Sequence, residues 1–441
     1  MDASDFGISM IDIFSRAAIQ LASSEQGQGY AEAYAALARA RSFSVAELTQ
    51  IIEASGLAGK GGAAYPVHLK LKLMQRQVSE KKYLVINGAE HEPGSAKDQY
   101  LLDSYPQTVI EGALIMAFAC GADDVRIAVN LTNASAIAAL NRELDRLAQR
   151  GLLEQAGRPI TVSVVPVPDS YIVGDESALL EFMEGRKAWP RRRPPFPIES
   201  GLFGQPTQVQ NVETVAHLPF LVMHGSQVYR SLGVSGKGVT LCTFGDEFAN
   251  SGVRLVPLGI SVRRLIMEYG GGLRDGASVK AVQPGGPSAG YLTEAQLDVS
   301  FDAKSLSEAG SALGCAAVRG FSCDADMVAA ASEVADFFAR ESCGQCPQCR
   351  METQMLSSIL KQTMNGKGTA KLLKQIPLVV KANVDKGICG LIKMPVAPVM
   401  TALTSFSAEF DRRLPAPSEE TVKGAPLTRT RLNEMESHRG A

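Results

Sequence analysis

Short apolar runs that alternate with long amphipathic stretches constrain this chain most. KYLVING (Lys82 to Gly88), DVRIAVN (Asp124 to Asn130) and ITVSVVPVP (Ile160 to Pro168) are brief and rich in β-branched residues. The stretches between and after them, PQTVIEGALIMAFACGA, ASAIAALNRELDRLAQRG and SALLEFMEG, carry helical spacing. Buried strands alternating with helices predict a mainly parallel sheet in an α/β fold. In such sheets ligands bind beyond the carboxyl ends of the strands, so the loops after each strand become candidate site segments.

The rest of the chain changes character twice. Residues 1–50 are alanine-rich and read as helical, with a capping box of Ser44 and Glu47 opening SFSVAELTQIIEASGLAG. Residues 236–323 hold GVTLCTFGD, ISVRRLIMEYGGG and SVKAVQPGG, a short β/helix/β set that reads as a small separate α+β domain. Residues 324–414 carry four helical stretches, which predicts a small bundle. Residues 415–441 are polar, lack periodicity and read as a disordered tail. Residues 51–235 then form the main α/β unit. Within it, AWPRRRPPFPIESGLFGQPT is too long and irregular for a plain connector, and is a candidate binding loop.

Composition removes several classes. A net charge of −2 gives no argument for a nucleic-acid partner. No run of about 18 apolar residues occurs, so no membrane insertion is expected. The first residues carry acids and no basic segment, so no export signal is read and a cytoplasmic setting is expected. In a reducing compartment the eight cysteines point to metal or catalysis rather than to disulfides.

ESCGQCPQCR places Cys343, Cys346 and Cys349 at C-x2-C-x2-C spacing, and Cys389 follows in KGICGLIKMP. A cubane [4Fe–4S] cluster needs four thiolates from different directions; such a loop supplies three and a remote cysteine the fourth. Zinc sites pair their ligands two and two, and a redox dithiol would leave one thiol idle. Cys120, Cys242, Cys315 and Cys323 lie in apolar or strand-like settings and read as small buried hydrophobes.

GLAGKGGAAYP gathers glycines around Lys60, and glycine backbone can approach an anion closely. It lacks the G-K-[ST] end of a Walker A loop. Gly59 to Ala64 does fit G-x-G-x-x-[G/A], but a helix precedes it where the Rossmann fingerprint has a strand, so a tight structural turn stays open beside a phosphate cradle. Two acidic loops follow strands: Glu90 and Glu92 in NGAEHEPG, and Asp175 and Glu176 in YIVGDESA. Such acids bond ribose hydroxyls in nucleotide sites, while a helix N-cap is the plain alternative for Asp175.

Taken in order, GLAGKGGAAYPVHLKL, YLVINGAEHEPGSAKD, YIVGDESALLEFMEGRKAWPRRRPPFP, GLFGQPTQVQNVETVAHLP and ESCGQCPQCR with Cys389 resemble the NADH-oxidising FMN subunit of respiratory complex I and the same module in NAD-linked hydrogenases and formate dehydrogenases. The resemblance implies a Rossmann-like FMN domain, a ubiquitin-like β-grasp domain of the SLBB type and a four-helix bundle with one [4Fe–4S] cluster. It implies an FMN phosphate on Gly59, Lys60, Gly61 and Gly62, with Lys70, Asn87, Glu90, Tyr171, Gly174, Asn211 and Thr214 around the flavin, while Asp175 remains a cofactor-binding candidate of its acidic loop. Glu92 and Glu176 would contact hydroxyls of NAD(H), with Tyr65 and Phe196 flanking the adenine. The implied reaction is hydride transfer between NAD(H) and FMN, then single electrons through the cluster to a partner, a thioredoxin-like [2Fe–2S] protein or a ferredoxin-type acceptor. No side-chain acid or base is obligatory for it.

This chain departs from the family pattern at Lys60, Leu71, Leu73, Ala89 and Gln210. An arginine, two aromatics, an acid and an asparagine are usual there. Losing the aromatics implies weaker adenine stacking, by ~0.5–1.5 kcal/mol per contact. An electron relay that no longer binds NADH is the alternative these changes imply.

Overall fold

The computed structural model describes residues 13–14, 34–155 and 158–415. Of the helical reading over residues 1–50, the part from residue 34 is described, and the tail reading beyond Pro415 lies outside the described residues. Helix α1 spans Ala35–Ser42 and α2 spans Val45–Ser55, and the capping box of Ser44 and Glu47 is present at the start of α2.

The α/β alternation folds as read. Strands β1 (Tyr83–Gly88), β2 (Asp124–Asn130), β3 (Thr161–Val167) and β4 (Thr207–Asn211) form a four-stranded sheet of order β3-β2-β1-β4, with every pairing parallel. Helices α3 (Val67–Gln75), α4 (Lys97–Ser104), α5 (Pro106–Cys120), α6 (Ala134–Gln149) and α7 (Glu176–Met183) connect or cover it. Leu84 and Ile86 of β1 enter the larger core, whereas Tyr83 and Val85 enter a second core with Leu179 and Leu180 of α7. Both faces of the strand are therefore buried, as a parallel sheet requires. Gly112 of α5 has no room for a side chain, because a Cβ there would lie 2.0 Å from the Val215 carbonyl oxygen. This close approach seats α5 on α8 (Val212–Ala216).

Strand β4 and helix α4 were not among the expected elements. The chain runs outward from β1 to β2 and β3, then returns to place β4 on the other side of β1. The order reverses between β1 and β4, and a crevice opens at such a switch point.

Helix α9 (Leu218–Ser231) leads to a second, mixed sheet. The expected β/helix/β set is larger than read. It has five strands: β5 (Val239–Phe244), β6 (Gly252–Pro257), β7 (Val279–Gln283), β8 (Leu292–Thr293) and β9 (Ala317–Ser322), in the order β8-β7-β9-β5-β6. Only β9 and β5 pair in parallel; the other pairs are antiparallel. Beyond it run α10 (Met327–Glu341), α11 (Pro347–Met364), α12 (Gln375–Asn383), α13 (Val396–Ser405) and α14 (Ser407–Arg413). The last stretch, expected as one helix, breaks at Phe406 with a bend of 82°. The Phe406 ring there meets Tyr291 of the mixed-sheet region edge-on. Among the described residues no single helix is long and apolar enough to cross a membrane.

Candidate functional site

The candidate residues converge on the β1/β4 end of the parallel sheet. Helix α2 stops at Gly56, whose φ of 68° only glycine adopts easily, and the chain enters the glycine loop. The loop closes on itself: Gly59 N donates to Tyr65 O (2.8 Å) and Val67 N to Leu57 O (3.1 Å). A Cβ on Gly61 would lie 3.2 Å from the Asn211 Cβ, so the loop rests on the end of β4. Thr214 holds it from below, accepting from Lys60 N at 2.9 Å.

The Lys60 side chain departs from expectation. Its ammonium is buried and donates to the Val239 carbonyl of β5 at 2.8 Å, and burial lowers its pKa. The charge read as serving an anion on the loop is turned inward, and with the Gly59 and Lys60 N–H groups taken by Tyr65 O and Thr214 Oγ1, the loop's donors are the N–H groups of Gly61 and Gly62.

Around the β1 end, Asn87 Nδ2 donates to Gly174 O (3.0 Å). Lys70 Nζ bridges Glu176 Oε2 (3.0 Å) and Val209 O (2.8 Å), and Arg193, which sequence reasoning did not single out, pairs with Glu176 (3.3 Å) and Asp175 (3.4 Å). Asp175 takes its plain reading as the N-cap of α7, accepting from Ser177 N and Ala178 N. Glu90 sits at φ 40°, and strained backbone of this kind clusters at functional loops. Its carboxylate accepts from Ser95 Oγ, Asp98 N and Gln99 N, and so caps α4. Glu92 accepts from Tyr171 OH (2.6 Å), Ser288 Oγ (2.9 Å) and Ser288 N (3.2 Å), while burial raises its pKa. Its carboxylate is thus tied to the mixed-sheet region and not free for a hydroxyl in this arrangement.

Tyr65 and Phe196 are exposed aromatics. The departures from the family pattern prove unequal. Leu71 and Ala89 are fully buried and Gln210 nearly so, whereas Leu73 is 40% exposed. The Leu71 change belongs to the core, so only Leu73 removes aromatic surface that a ligand would meet.

Cys343, Cys346, Cys349 and Cys389 line one cavity with Ile172, Pro190, Gln345, Ile388 and Leu391. Cys346 is the N-cap of α11, Pro347 follows at its first position and Cys349 lies in its first turn. Gly344, at φ 75°, turns the chain between Cys343 and Cys346. Cys389 arrives from the turn before Gly390–Lys393. Ile388 N donates to Cys346 Sγ at 3.3 Å, a bond that suits a thiolate. Burial pushes the Cys389 thiol up to about 12, so a metal would have to displace its proton for it to act as a ligand near neutral pH. Among the described residues no group of three or more His, Cys, Asp or Glu converges to hold a single ion. Three thiols at C-x2-C-x2-C spacing with a remote fourth on the same cavity fit the corners of a cubane cluster. Of the remaining cysteines, Cys120 and Cys242 are buried and Cys315 partly so, but Cys323 is exposed, contrary to the buried reading.

The two sites share one turn. In the 3-10 segment Tyr171–Gly174, Gly174 O takes the Asn87 amide while Ile172 lines the cysteine cavity. The Tyr171 ring packs edge-on against Phe337 (5.3 Å) and Phe338 (5.7 Å) of α10, and its N–H donates to Glu341.

Sequence reasoning missed the charges beneath the glycine loop. Buried Lys97 Nζ lies 2.8 Å from Asp98 Oδ1 and 3.1 Å from Glu213 Oε2, both buried, and 3.2 Å from Asn211 Oδ1 of the half-buried Asn211. Asn211 Nδ2 in turn donates to Asp98 Oδ2 (2.5 Å), and Glu213 Oε1 accepts from Leu241 N (2.8 Å) and Thr240 Oγ1 (2.9 Å) of β5. The available signal was the juxtaposition of Lys97 and Asp98 in SAKDQ, directly after the acidic loop.

Glu352 was also missed. It lies one turn beyond Cys349, fully buried, with neither carboxylate oxygen hydrogen-bonded, and burial pushes its pKa up to about 7. A carboxyl raised above its unfolded value of about 4.3 makes the fold lose stability as pH climbs from there through 7. Glu352→Gln is therefore expected to gain about 1–2 kcal/mol over the native chain at pH 8 and little at pH 5. Melting curves at both values check this, and an equal shift at both would refute it.

Comparison with known proteins agrees with this geometry. Residues 52–219 match the family described as the Nuo51 FMN-binding domain, and residues 329–413 match the NADH-ubiquinone oxidoreductase-F iron-sulfur binding region. The NADH-quinone oxidoreductase F 2 subunit of Rhizobium meliloti is 34% identical over 405 residues, covering 90% of this chain and 96% of that protein. The NADH-quinone oxidoreductase F subunit of Escherichia coli is 34% identical over 382 residues, covering 85% of this chain and 86% of that protein. The NADP-reducing hydrogenase subunit HndC of Solidesulfovibrio fructosivorans is 32% identical, covering 87% and 80%. A chain of a solved NAD+-reducing [NiFe]-hydrogenase superposes with a TM-score of 0.79 at 28% identity, over 86% of this chain and 64% of that one. The chain belongs to the family of NADH-quinone oxidoreductase F subunits, oxidoreductase components that work with FMN, a [4Fe–4S] cluster and NAD(H).

Proposed function

We propose that this chain is a diaphorase subunit that takes hydride from NADH at the β1/β4 crevice and delivers single electrons at the cysteine cavity. The observation that carries the reading is the Tyr171–Gly174 turn, which contacts Asn87 on one side and lines the cysteine cavity on the other. FMN, when bound, supplies the conversion from a two-electron donor to a one-electron acceptor.

The chain's own residues then have separate tasks. The loop Gly59, Lys60, Gly61 and Gly62 would hold the flavin phosphate through the N–H groups of Gly61 and Gly62, with Tyr65 and Thr214 fixing Gly59 and Lys60. Lys70, Asn87, Glu90, Tyr171, Gly174 and Asn211 would frame the flavin, and Asp175 would add to the cofactor site as the cap of α7. Glu176 would bond a nucleotide hydroxyl once it leaves Lys70 or Arg193, and Glu92 once Tyr171 or Ser288 releases it. Tyr65 and Phe196 would take the adenine. Cys343, Cys346, Cys349 and Cys389 would hold the cluster.

The same reading divides the chain into a Rossmann-like unit (51–235), a β-grasp unit of the SLBB type (236–323) and a four-helix cluster unit (324–414). The parallel β9–β5 pair at the centre of an otherwise antiparallel sheet supports the middle assignment. One cluster cannot store the electrons of repeated turnovers, so a partner is required, a thioredoxin-like [2Fe–2S] protein or a ferredoxin-type acceptor.

Anaerobic titration of the purified holoprotein tests the proposal. NADH is expected to bleach the flavin absorbance stoichiometrically and then the cluster absorbance. A flavin bleached by dithionite but untouched by NADH and NADPH would overturn it in favour of a relay between two protein partners.

A further inference from the structure

Glu92 is held from two sides by unequal donors, and one of them belongs to no element of the flavin or nucleotide site described above. Oε1 accepts from both Ser288 Oγ (2.9 Å) and Ser288 N (3.2 Å), whereas Oε2 accepts from Tyr171 OH (2.6 Å). Ser288 lies in the loop between β7 and β8 of the mixed sheet.

That loop is fixed by its own bonds. Ala289 N donates to Gly286 O (2.9 Å), which closes a tight turn with Pro287 and Ser288 at its corners. Gln283 Nε2 donates to Ala289 O (2.8 Å) and Ser311 Oγ to Gly290 O (2.7 Å), and both bonds are buried. Gly286 takes a φ of 91°, and a Cβ there would lie 3.0 Å from Glu92 Oε1, so the turn wraps the carboxylate closely. Tyr171 is less committed. Its hydroxyl also lies 2.9 Å from Met394 Sδ, at the end of the segment that carries Cys389. A thioether is a weak acceptor, but it leaves the phenol a partner when Oε2 turns away. Burial raises the pKa of Glu92, and the bonds from Tyr171 and Ser288 pull it back down. A carboxylate so enclosed needs a lasting donor to stay charged while another donor leaves.

We propose that Ser288 is a positioning residue of the nucleotide site: it anchors Oε1 of Glu92 while Oε2 exchanges the Tyr171 hydroxyl for a hydroxyl of NAD(H). This rests on the diaphorase reading, in which Glu92 meets that hydroxyl. One hydrogen bond replaces another on Oε2, and the Tyr171 hydroxyl falls back on Met394. The mixed sheet thereby shapes nucleotide recognition through Glu92, with Ser288 itself behind the carboxylate.

Equilibrium binding of ADP-ribose to the FMN- and iron-loaded protein tests this, because ADP-ribose carries both ribose units of NAD(H) and cannot reduce the flavin. Ser288→Ala is expected to keep its FMN and iron and to weaken binding about tenfold, the low end for a hydrogen bond to a charged group, since the Ser288 N–H remains. Ser288→Thr keeps the hydroxyl and should recover most of that loss. In a Glu92→Ala background the Ser288→Ala change should add little, because a residue that acts through Glu92 has nothing left to hold. Native affinity in Ser288→Ala, or an undiminished further loss on top of Glu92→Ala, would overturn the inference. A native protein that binds neither ADP-ribose nor NADH would overturn the diaphorase reading and the inference with it, so the native protein tells the two failures apart.

Discussion

Cys389→Ala is expected to empty the cysteine cavity while leaving the flavin site intact. Cys343, Cys346 and Cys349 come from the α10–α11 connection and the first turn of α11, and only Cys389 approaches from another segment. Three thiolates from one loop leave a corner of the cubane to solvent, where oxygen and water strip it. Iron and sulfide should fall from about four each per chain to near zero in air-purified protein. FMN content should hold, because none of the flavin-framing residues lies on the Cys389 segment. NADH should still bleach the flavin, whereas electron delivery to an iron–sulfur acceptor should drop to background. Serine at Cys120, Cys242 or Cys323 is the control and should leave iron unchanged, since none of these lines the cavity. Full iron content in Cys389→Ala, or stoichiometric zinc in the native protein, would refute the assignment.

Legibility in the sequence followed the type of burial. The strand DVRIAVN is recovered residue for residue, because apolar residues on both faces are what a central parallel strand needs. Strand β4, TQVQN, escaped notice because its glutamines are buried: Gln208 and Gln210 lie in the interior, where a polar side chain gives no hydrophobic period. Yet β4 creates the switch point and carries Asn211. The glycine loop and the cysteines were legible because their chemistry depends on local spacing. The direction of the Lys60 ammonium was not, since it depends on a carbonyl of β5 far along the chain. Lys97, Asp98, Glu213 and Glu352 went unmarked for the same reason. Nothing local marks a charge as buried when the elements that cover it come from elsewhere in the sequence.

Lys97→Met should be among the most destabilising single changes in this chain. Lys97 is 1% exposed and is the cation shared by Asp98 and Glu213. Burial pulls its pKa down, but Asp98 and Glu213 outweigh that and the net shift is upward, so it is charged at any ordinary pH. Burial pushes Glu213 up while Lys97 and the other cations pull it further down, and it ends below the usual carboxylate range. Burial wins at Asp98, which is pushed up to about 6 despite Lys97. Removing one partner from a buried ionic set strands the others and costs about 3–5 kcal/mol. The pH dependence identifies the cause. In the native chain the Glu213 contribution is complete above its unfolded pKa near 4.3 and is lost only as pH falls through its lower folded value. Without Lys97, burial drives both carboxyls toward protonation, so the variant should recover stability relative to the native protein as pH falls from 8 to 5. FMN affinity should fall as well, because Asn211, against which Gly61 packs, loses the ammonium that holds its side-chain oxygen. Denaturant unfolding at both pH values and flavin fluorescence titration measure these effects. A Lys97→Met protein with native stability, or with a deficit that ignores pH, would mean the charges are solvated and the buried network is not what holds the glycine loop to the mixed sheet.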